Sequence, residues 1–261
     1  MAKYGLIGGK LGHSYSMGIH EKYFATIGEK STYELIETPT ENLKQTLENL
    51  ANEGYCGINV TIPHKKAVME FLDEIAPEAE FIGAVNTIKF ENGKLFGFNT
   101  DYYGFGKTLD KFGIDISGKK TYILGTGGAA NAVSAYCRNN GAEVIFVSRT
   151  PSNNAIGYDE LKNVPAGGVL INCTPVGMYP DTDAAPIECV DGFDAVVDLI
   201  YNPTKTKLLK NAEEHGIKAV NGMYMLVAQA ICAEAIWHNT DFEENIIDDV
   251  YTQVLNKMEA N

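Results

Sequence analysis

Lys120-Thr121-Tyr122-Ile123-Leu124 runs directly into Gly125-Thr126-Gly127-Gly128-Ala129-Ala130, and the order of these residues decides how the chain is read. The first five have strand character. The next six form a Gly-x-Gly-x-x-Ala fingerprint, followed by a helical stretch to Asn140 and a second strand, Glu143 to Val147. In such a unit the first glycine makes a tight turn and the second lets the backbone approach a pyrophosphate at a helix N-terminus. A glycine triplet alone is weak evidence. Here the strand before it, the helix after it and the second strand are all present, so the segment predicts a dinucleotide-binding βαβ unit.

The tip of the second strand selects the dinucleotide. An acidic residue there would bind a ribose 2′-hydroxyl, whereas this chain has Ser148-Arg149-Thr150. A guanidinium offers a fixed fork of donors to a 2′-phosphate and can stack on adenine, with two hydroxyls beside it. The cofactor expected is therefore NADP. Only Arg138 and Arg149 are arginines, which gives the placement of Arg149 weight.

Strand candidates also occur at Lys3 to Gly8, Thr32 to Glu37, Gly57 to Thr61, Val169 to Asn172, Ala195 to Asp198 and Lys218 to Val220, with helical segments between most of them. Alternation of this kind predicts an α/β fold with parallel strands joined by crossovers. The clearest helix starts at Thr38-Pro39-Thr40-Glu41, which reads as a capping box with Leu43, Leu47, Leu50 and Ala51 on one face and Gly54 as the stop. Val85 to Glu91 and Lys94 to Asn99 flank Asn92-Gly93, a hairpin signal that interrupts the parallel pattern. The expected organisation is two domains: an N-terminal α/β substrate domain over residues 1–101 and a Rossmann-like dinucleotide-binding domain over 102–222. Residues 223–261 are expected to return to the first. In that last stretch Phe242, Ile246, Ile247, Val250, Val254 and Leu255 fall at helical spacing.

The 261 residues are 45% hydrophobic and 21% charged, an ordinary globular composition. Lys and Arg total 21 against 34 Asp plus Glu, a formal charge of −13, so a nucleic-acid-binding surface is not expected. The five cysteines are widely spaced and contain no Cys-x-x-Cys, and the five histidines show no ligand spacing, so neither a disulfide framework nor a metal site is expected. Reduced thiols, acting as small buried hydrophobes, suit a cytoplasmic protein. No basic leader and no apolar run of membrane-spanning length is present. The partner expected is a small molecule, with no nucleic acid and no membrane, bound by a monomer or homodimer.

Four polar groups sit at strand ends in the first domain: Ser14 with Ser16, Asn59-Val60-Thr61-Ile62-Pro63-His64-Lys65, Gly83-Ala84-Val85-Asn86-Thr87, and Asn99-Thr100-Asp101. Polar side chains at the carboxyl ends of parallel strands face the ligand-binding edge of an α/β sheet. Hydroxyls, amides, one ammonium and one carboxylate suit a polyhydroxylated acid. With Gly125 to Ala129, Asn172-Cys173-Thr174-Pro175-Val176-Gly177-Met178 and Gly222-Met223-Tyr224-Met225-Leu226-Val227-Ala228-Gln229-Ala230, these groups resemble the shikimate dehydrogenase family over nearly the whole chain.

The resemblance implies NADPH-dependent reduction of 3-dehydroshikimate to shikimate, in the route to aromatic amino acids. It implies Lys65 and Asp101 as the catalytic pair and Ser14 and Ser16 on the substrate carboxylate, with Tyr201 near it. Asn59, Thr61, Asn86 and Gln229 would bind ring hydroxyls or orient their neighbours. Gly125, Thr126, Gly127, Gly128, Ala129, Ser148, Arg149 and Thr150 would hold the cofactor, with Gly222 contacting the nicotinamide amide and Leu199 and Met225 lining its pocket. The chemistry can also be reasoned from the residues. Hydride arriving at a carbonyl carbon builds negative charge on oxygen, and a lysine ammonium can stabilise that charge and donate the proton.

The chain departs from the family at the 2′-phosphate loop. Ser148 stands where asparagine is common, and Pro151-Ser152-Asn153 lacks a second basic residue. A quinate/shikimate dehydrogenase using NAD or NADP is the nearest alternative.

Overall fold

A computed structural model of the chain describes residues 1–12, 14–152, 154–241 and 243–259; His13, Asn153 and Phe242 lie outside the described residues. In chain order the elements are β1 (Lys3–Gly8), α1 (Ser16–Ile27), β2 (Thr32–Glu37), α2 (Leu43–Asn52), β3 (Tyr55–Val60), β4 (Glu74–Ile75), α3 (Pro77–Ile82), β5 (Thr87–Glu91), β6 (Lys94–Phe98), α4 (Thr100–Phe112), β7 (Lys120–Leu124) and α5 (Gly128–Asn139). They continue as β8 (Glu143–Val147), β9 (Ala155–Ile156), α6 (Tyr158–Leu161), β10 (Val169–Asn172), β11 (Ala195–Asp198), α7 (Lys207–Glu214), β12 (Lys218–Asn221), α8 (Met223–His238) and α9 (Glu244–Glu259). The chain divides into two compact units, Met1–Gly104 with Val227–Asn261, and Phe105–Leu226. The division falls within α4 and α8.

The first unit holds a sheet in the order β2-β1-β3-β5-β6-β4. β2, β1 and β3 are parallel, and β5 and β6 form the antiparallel hairpin expected around Asn92-Gly93. Asn92 (φ 53°) and Gly93 (φ 75°) both take the left-handed conformation a two-residue hairpin turn requires. One face of the sheet is covered by α2, where Ile7, Leu43, Leu47, Ile58 and Ile88 share a core. Elsewhere in this unit Trp237 stacks on Tyr4 with ring centroids 4.8 Å apart, and its indole N–H donates to the Ile88 carbonyl at 2.9 Å. Gly57 permits this: a Cβ there would lie 2.1 Å from the indole nitrogen. α9 packs against α1, and Gln253 donates to the Thr26 hydroxyl at 3.3 Å.

The start of α2 differs from expectation. Thr38 does not cap it; its hydroxyl pairs with that of Thr46 at 2.9 Å, and a 3-10 turn over Thr40–Asn42 precedes the α-helix. Pro39 stays extended at φ −72°, ψ 154°, so the helix cannot begin until after it.

The second unit carries a fully parallel sheet in the order β12-β11-β10-β7-β8-β9. Its central strands β7, β10 and β11 are buried on both faces, with alternate residues serving two cores: Ile123, Ile171 and Val197 on one side, Tyr122, Leu124, Leu170 and Val196 on the other. The strand order reverses beside β7, so the carboxyl ends of β7 and β10 form the switch point where such sheets bind ligands. The short segment after Thr150 holds the one-turn helix α6.

All five cysteines are free. Cys137 and Cys232 are buried, but Cys189 is exposed, which corrects the expectation that the cysteines are small buried hydrophobes; Cys189 lies in the loop between β10 and β11, outside either core. Among the described residues no helix is long and apolar enough to cross a membrane, and no group of His, Cys, Asp and Glu could hold a metal ion.

Candidate active site

In the first unit, the turn after β3 is fixed by backbone and histidine. The Thr61 amide donates to the Ile7 carbonyl at 2.9 Å, and the His64 amide to the Thr61 carbonyl at 2.9 Å. His64 is buried and its Nε2 reaches the Thr38 carbonyl at 2.8 Å, a structural role. The carbonyl of Lys65 accepts from the Val85 amide at 2.8 Å. With its backbone tied down, Lys65 extends Nζ to within 2.5 Å of Asp101 Oδ2; the side chains are 21% and 13% exposed. Asp101 stands in the first turn of α4, and the Thr100 amide at that helix start donates to Asn86 Oδ1 at 2.7 Å.

Asn86 Oδ1 also accepts from the hydroxyls of Thr87 and Thr100 at 3.1 and 3.2 Å. Three donors on the oxygen fix which way the amide is oriented. Asn59 is engaged at both ends: Tyr33 donates to its Oδ1 at 2.7 Å, and its Nδ2 donates to Thr87 Oγ1 at 3.1 Å and the Asn86 carbonyl at 3.4 Å. The one proton of the Thr100 hydroxyl is shared between Asn86 Oδ1 and Gln229 Oε1, the latter 3.4 Å away. The structure therefore brings Asn59, Asn86, Thr100 and Gln229 into one hydrogen-bonded group. Ser14 and Ser16 flank the start of α1, where the Ser16 amide donates to Ser14 Oγ at 3.2 Å and no side chain caps the helix. Thr61 is half-buried just past the end of β3.

In the second unit, Gly125 turns at φ 98°, a conformation side chains rarely adopt, and its amide donates to the Val147 carbonyl at 3.0 Å. Gly127 is the N-cap of α5 and offers no side-chain cap. Thr126 and Gly127 are exposed, Gly128 and Ala129 half-buried, and a Cβ at Gly127 or Gly128 would meet nothing within 4 Å. Bare helix amides facing open space fit a pyrophosphate.

At the end of β8 the Thr150 amide donates to Ser148 Oγ at 3.2 Å. Arg149 is exposed, and no ion pair engages it among the described residues. Burial raises the phenol pKa of Tyr158 and the nearby Arg149 charge opposes the rise. The Leu199 amide donates to the Asn172 carbonyl at 2.9 Å, and the Gly222 amide to the Ile200 carbonyl at 3.0 Å. Gly222 is packed so closely that a Cβ would lie 2.0 Å from the Leu199 carbonyl oxygen. Met225 is buried with Leu199 against it, and Tyr201 is half-buried.

Two buried polar groups escaped sequence reasoning. His20 bonds through Nδ1 to Glu234 Oε1, both side chains fully buried, and its ring stacks on Tyr33 with centroids 4.0 Å apart. Burial lowers the His20 pKa to about 3 and raises that of Glu234 well above the usual carboxylate range. The other group joins Asn172, Asp198 and Thr206 in the second unit. Neither follows a local motif; the first pair is separated by 214 positions. The signal available was the placement of charged residues inside apolar runs, Glu234 in Ala233-Glu234-Ala235 and Asp198 after Val196-Val197.

Residues 6–88 match the family described as shikimate dehydrogenase substrate binding domain. The chain is 39% identical over 267 residues to the NADP(+) shikimate dehydrogenase of Clostridium perfringens (strain 13 / Type A), covering 97% of this chain and 98% of that protein. The solved chorismate mutase/shikimate 5-dehydrogenase fusion protein of Clostridium acetobutylicum is 45% identical with a TM-score of 0.96, covering 99% of each chain. The shikimate 5-dehydrogenase of Thermus thermophilus, solved in complex with NADP(H) and shikimate, is 32% identical with a TM-score of 0.87, covering 97% of this chain and 99% of that one. With an α/β substrate unit, a parallel nucleotide-binding sheet and this degree of identity along nearly its full length, the chain belongs to the shikimate dehydrogenase family.

Proposed function

We propose that the chain catalyses the reversible, NADP-dependent interconversion of 3-dehydroshikimate and shikimate, with Lys65 and Asp101 as its proton-transfer unit. The observation that carries the reading is the Lys65–Asp101 pair, at 2.5 Å, beside an amide group pre-set for a hydroxylated ligand. When bound, the cofactor supplies the hydride. The Lys65 ammonium stabilises charge growing on the carbonyl oxygen and gives that oxygen a proton; Asp101 holds the ammonium in place. In the oxidative direction the same pair receives the alcohol proton.

Ser14 and Ser16 donate to the substrate carboxylate, aided by the start of α1, whose N-cap Tyr15 offers no side-chain bond, and Tyr201 is a further substrate-binding residue. Asn86, Thr61 and Gln229 bind ring hydroxyls. Asn59, whose amide is used up by Tyr33, Thr87 and Asn86, orients them rather than touching the ligand itself. Gly125 makes the turn, the amides from Thr126 to Ala129 hold the pyrophosphate, and Ser148, Arg149 and Thr150 hold the 2′-phosphate. Leu199 and Met225 line the nicotinamide pocket beside Gly222.

This reading describes a cytoplasmic enzyme of aromatic amino acid biosynthesis, a monomer or homodimer that acts on a small acid and not on nucleic acid. The lone cation at residue 149 favours a modest preference for NADP. An absorbance assay at the nicotinamide band, offering shikimate and quinate each with NADP and NAD, tests the function: shikimate with NADP should be the best pair. Quinate turnover equal to that of shikimate, or NAD preferred, would favour the quinate/shikimate alternative.

A further inference from the structure

β10, β11 and β12 end in register on Asn172, Asp198 and Asn221, three polar residues side by side at the carboxyl edge of the second sheet. Asp198 is fully buried, and its surroundings are all donors. Oδ1 accepts from Asn172 Nδ2 at 2.9 Å and from the Ile200 amide at 3.1 Å; Oδ2 accepts from the Thr206 hydroxyl at 2.7 Å. No cation pairs with it among the described residues. Burial pushes its pKa up to about 6 although all three donors pull it down, so at neutral pH the fold carries an ionised carboxylate without a counter-charge.

The bonds lead outward from it. Asn172 Oδ1 accepts from the Thr174 amide and hydroxyl at 3.0 and 2.7 Å, which shapes the loop after β10, and Thr174 in turn packs at the position where a Gly125 Cβ would lie, 3.1 Å away. Ile200 is held between Leu199 and Tyr201, and its carbonyl accepts from the Gly222 amide at 3.0 Å. Thr206 Oγ1 accepts from the Leu209 amide at 3.3 Å and caps α7. One carboxylate thus fixes the loops after β10 and β11, and through Ile200 the entry to α8. Those loops carry the residues assigned to the nicotinamide end of the cofactor. The adenosine end, at Ser148 to Thr150, lies beyond β7 on the other side of the sheet order.

We propose that Asp198 is a positioning residue for the nicotinamide half of the cofactor, ordering Leu199 and Gly222 through Asn172, Ile200 and Thr206. The inference rests on the NADP reading above. A carboxylate suits this task because a single group accepts from three donors on three segments at once, whereas an amide presents one oxygen and would aim its NH₂ at the Asn172 or Thr206 donors.

The test measures binding of NADPH and of adenosine 2′,5′-bisphosphate, a fragment lacking the nicotinamide, to the wild type and to Asp198→Asn, Thr206→Val and Thr206→Ser. Asp198→Asn should weaken NADPH about tenfold, the scale of one lost charge-assisted hydrogen bond, while the fragment binds within about twofold of wild type, as expected for a distant site. Thr206→Val should move the same way to a smaller degree, and Thr206→Ser, which keeps the hydroxyl, should restore NADPH binding. The Thr206 variants decide the matter if Asp198→Asn does not fold. Unchanged NADPH affinity in the folded variants, or equal losses for NADPH and the fragment, overturns the inference. Failure of the wild type to bind NADPH overturns instead the function on which it rests.

Discussion

Replacing Glu234 with glutamine separates two protonation states of its buried pair with His20. Both side chains have no exposure, and burial drives both toward neutrality: the His20 pKa falls to about 3 while that of Glu234 rises. In the folded chain the pair then holds one proton, on Glu234. In the unfolded chain Glu234 loses its proton above about 4.5, so from there upward the unfolded state binds fewer protons at this site and stability contributed by the acid is lost as pH rises. The loss is about 1.4 kcal/mol for each pH unit until Glu234 ionises in the fold.

Glutamine has no such proton. The difference in unfolding free energy, wild type minus Glu234→Gln, should therefore fall as pH rises above about 4.5, by at most about 1.4 kcal/mol per pH unit, measured by urea denaturation in matched salt. Titrating groups that do not touch Glu234 cancel in the difference, whereas His20 and His238 contact it directly. A difference that stays flat between pH 5 and pH 6 would mean that Glu234 is already ionised in the fold, and the neutral-acid reasoning would be refuted. For His20 the sign is opposite: its stabilisation is present above pH 6.5 and lost as pH falls toward 3.

Gly57→Ala should destabilise by about 2–5 kcal/mol, because a Cβ 2.1 Å from the Trp237 indole nitrogen forces the ring off its bond to Ile88; a change below about 0.5 kcal/mol in a thermal or urea melt would contradict that packing. Asp198 carries a pKa raised from 3.8 to about 6, so its contribution is present below 3.8 and lost as pH rises through 6, about 3 kcal/mol in all. Asp198→Asn should remove that slope from the stability profile, and an unchanged profile would show the carboxyl to be ordinary. Arg149→Ala should lower kcat/KM with NADPH by about tenfold or more and leave NADH nearly unaffected, since a charge-assisted pair with phosphate is at stake; equal losses for both cofactors would remove Arg149 from the 2′-phosphate site.

Most of the architecture could be read from local patterns, because parallel strands advertise themselves as short apolar runs between helical segments. β1, β2, β8, β10 and β11 start and end where those runs do. The two-residue strands β4 and β9 left no trace, since a pair of residues has no periodicity and their pairing is set by β6 and β8 alone. The start of α2 misled for a different reason: Thr38 has the chemistry of a cap, but Thr46 claims its hydroxyl.

Within the site, the residues a ligand would touch stand in compact motifs and could be named. The groups behind them could not. Asp198 acquires its meaning only from Asn172 and Thr206, on separate segments, and His20 only from Glu234 near the other end of the chain. Tertiary folding brings such partners together, and no spacing rule connects them. Asn59 illustrates the boundary: its presence beside Thr61 was legible, but its full engagement by Tyr33, Thr87 and Asn86 required coordinates.

The most direct test of the central claim is steady-state shikimate oxidation with NADP by the wild type and Lys65→Ala, followed at the nicotinamide absorbance band. The wild type should turn over, and the variant should lose about 10²–10⁴ in kcat with a much smaller change in the KM for shikimate, as expected for removal of a proton donor and cation beside Asp101. A near-normal kcat in the variant, or no NADP reduction by the wild type, would contradict the account.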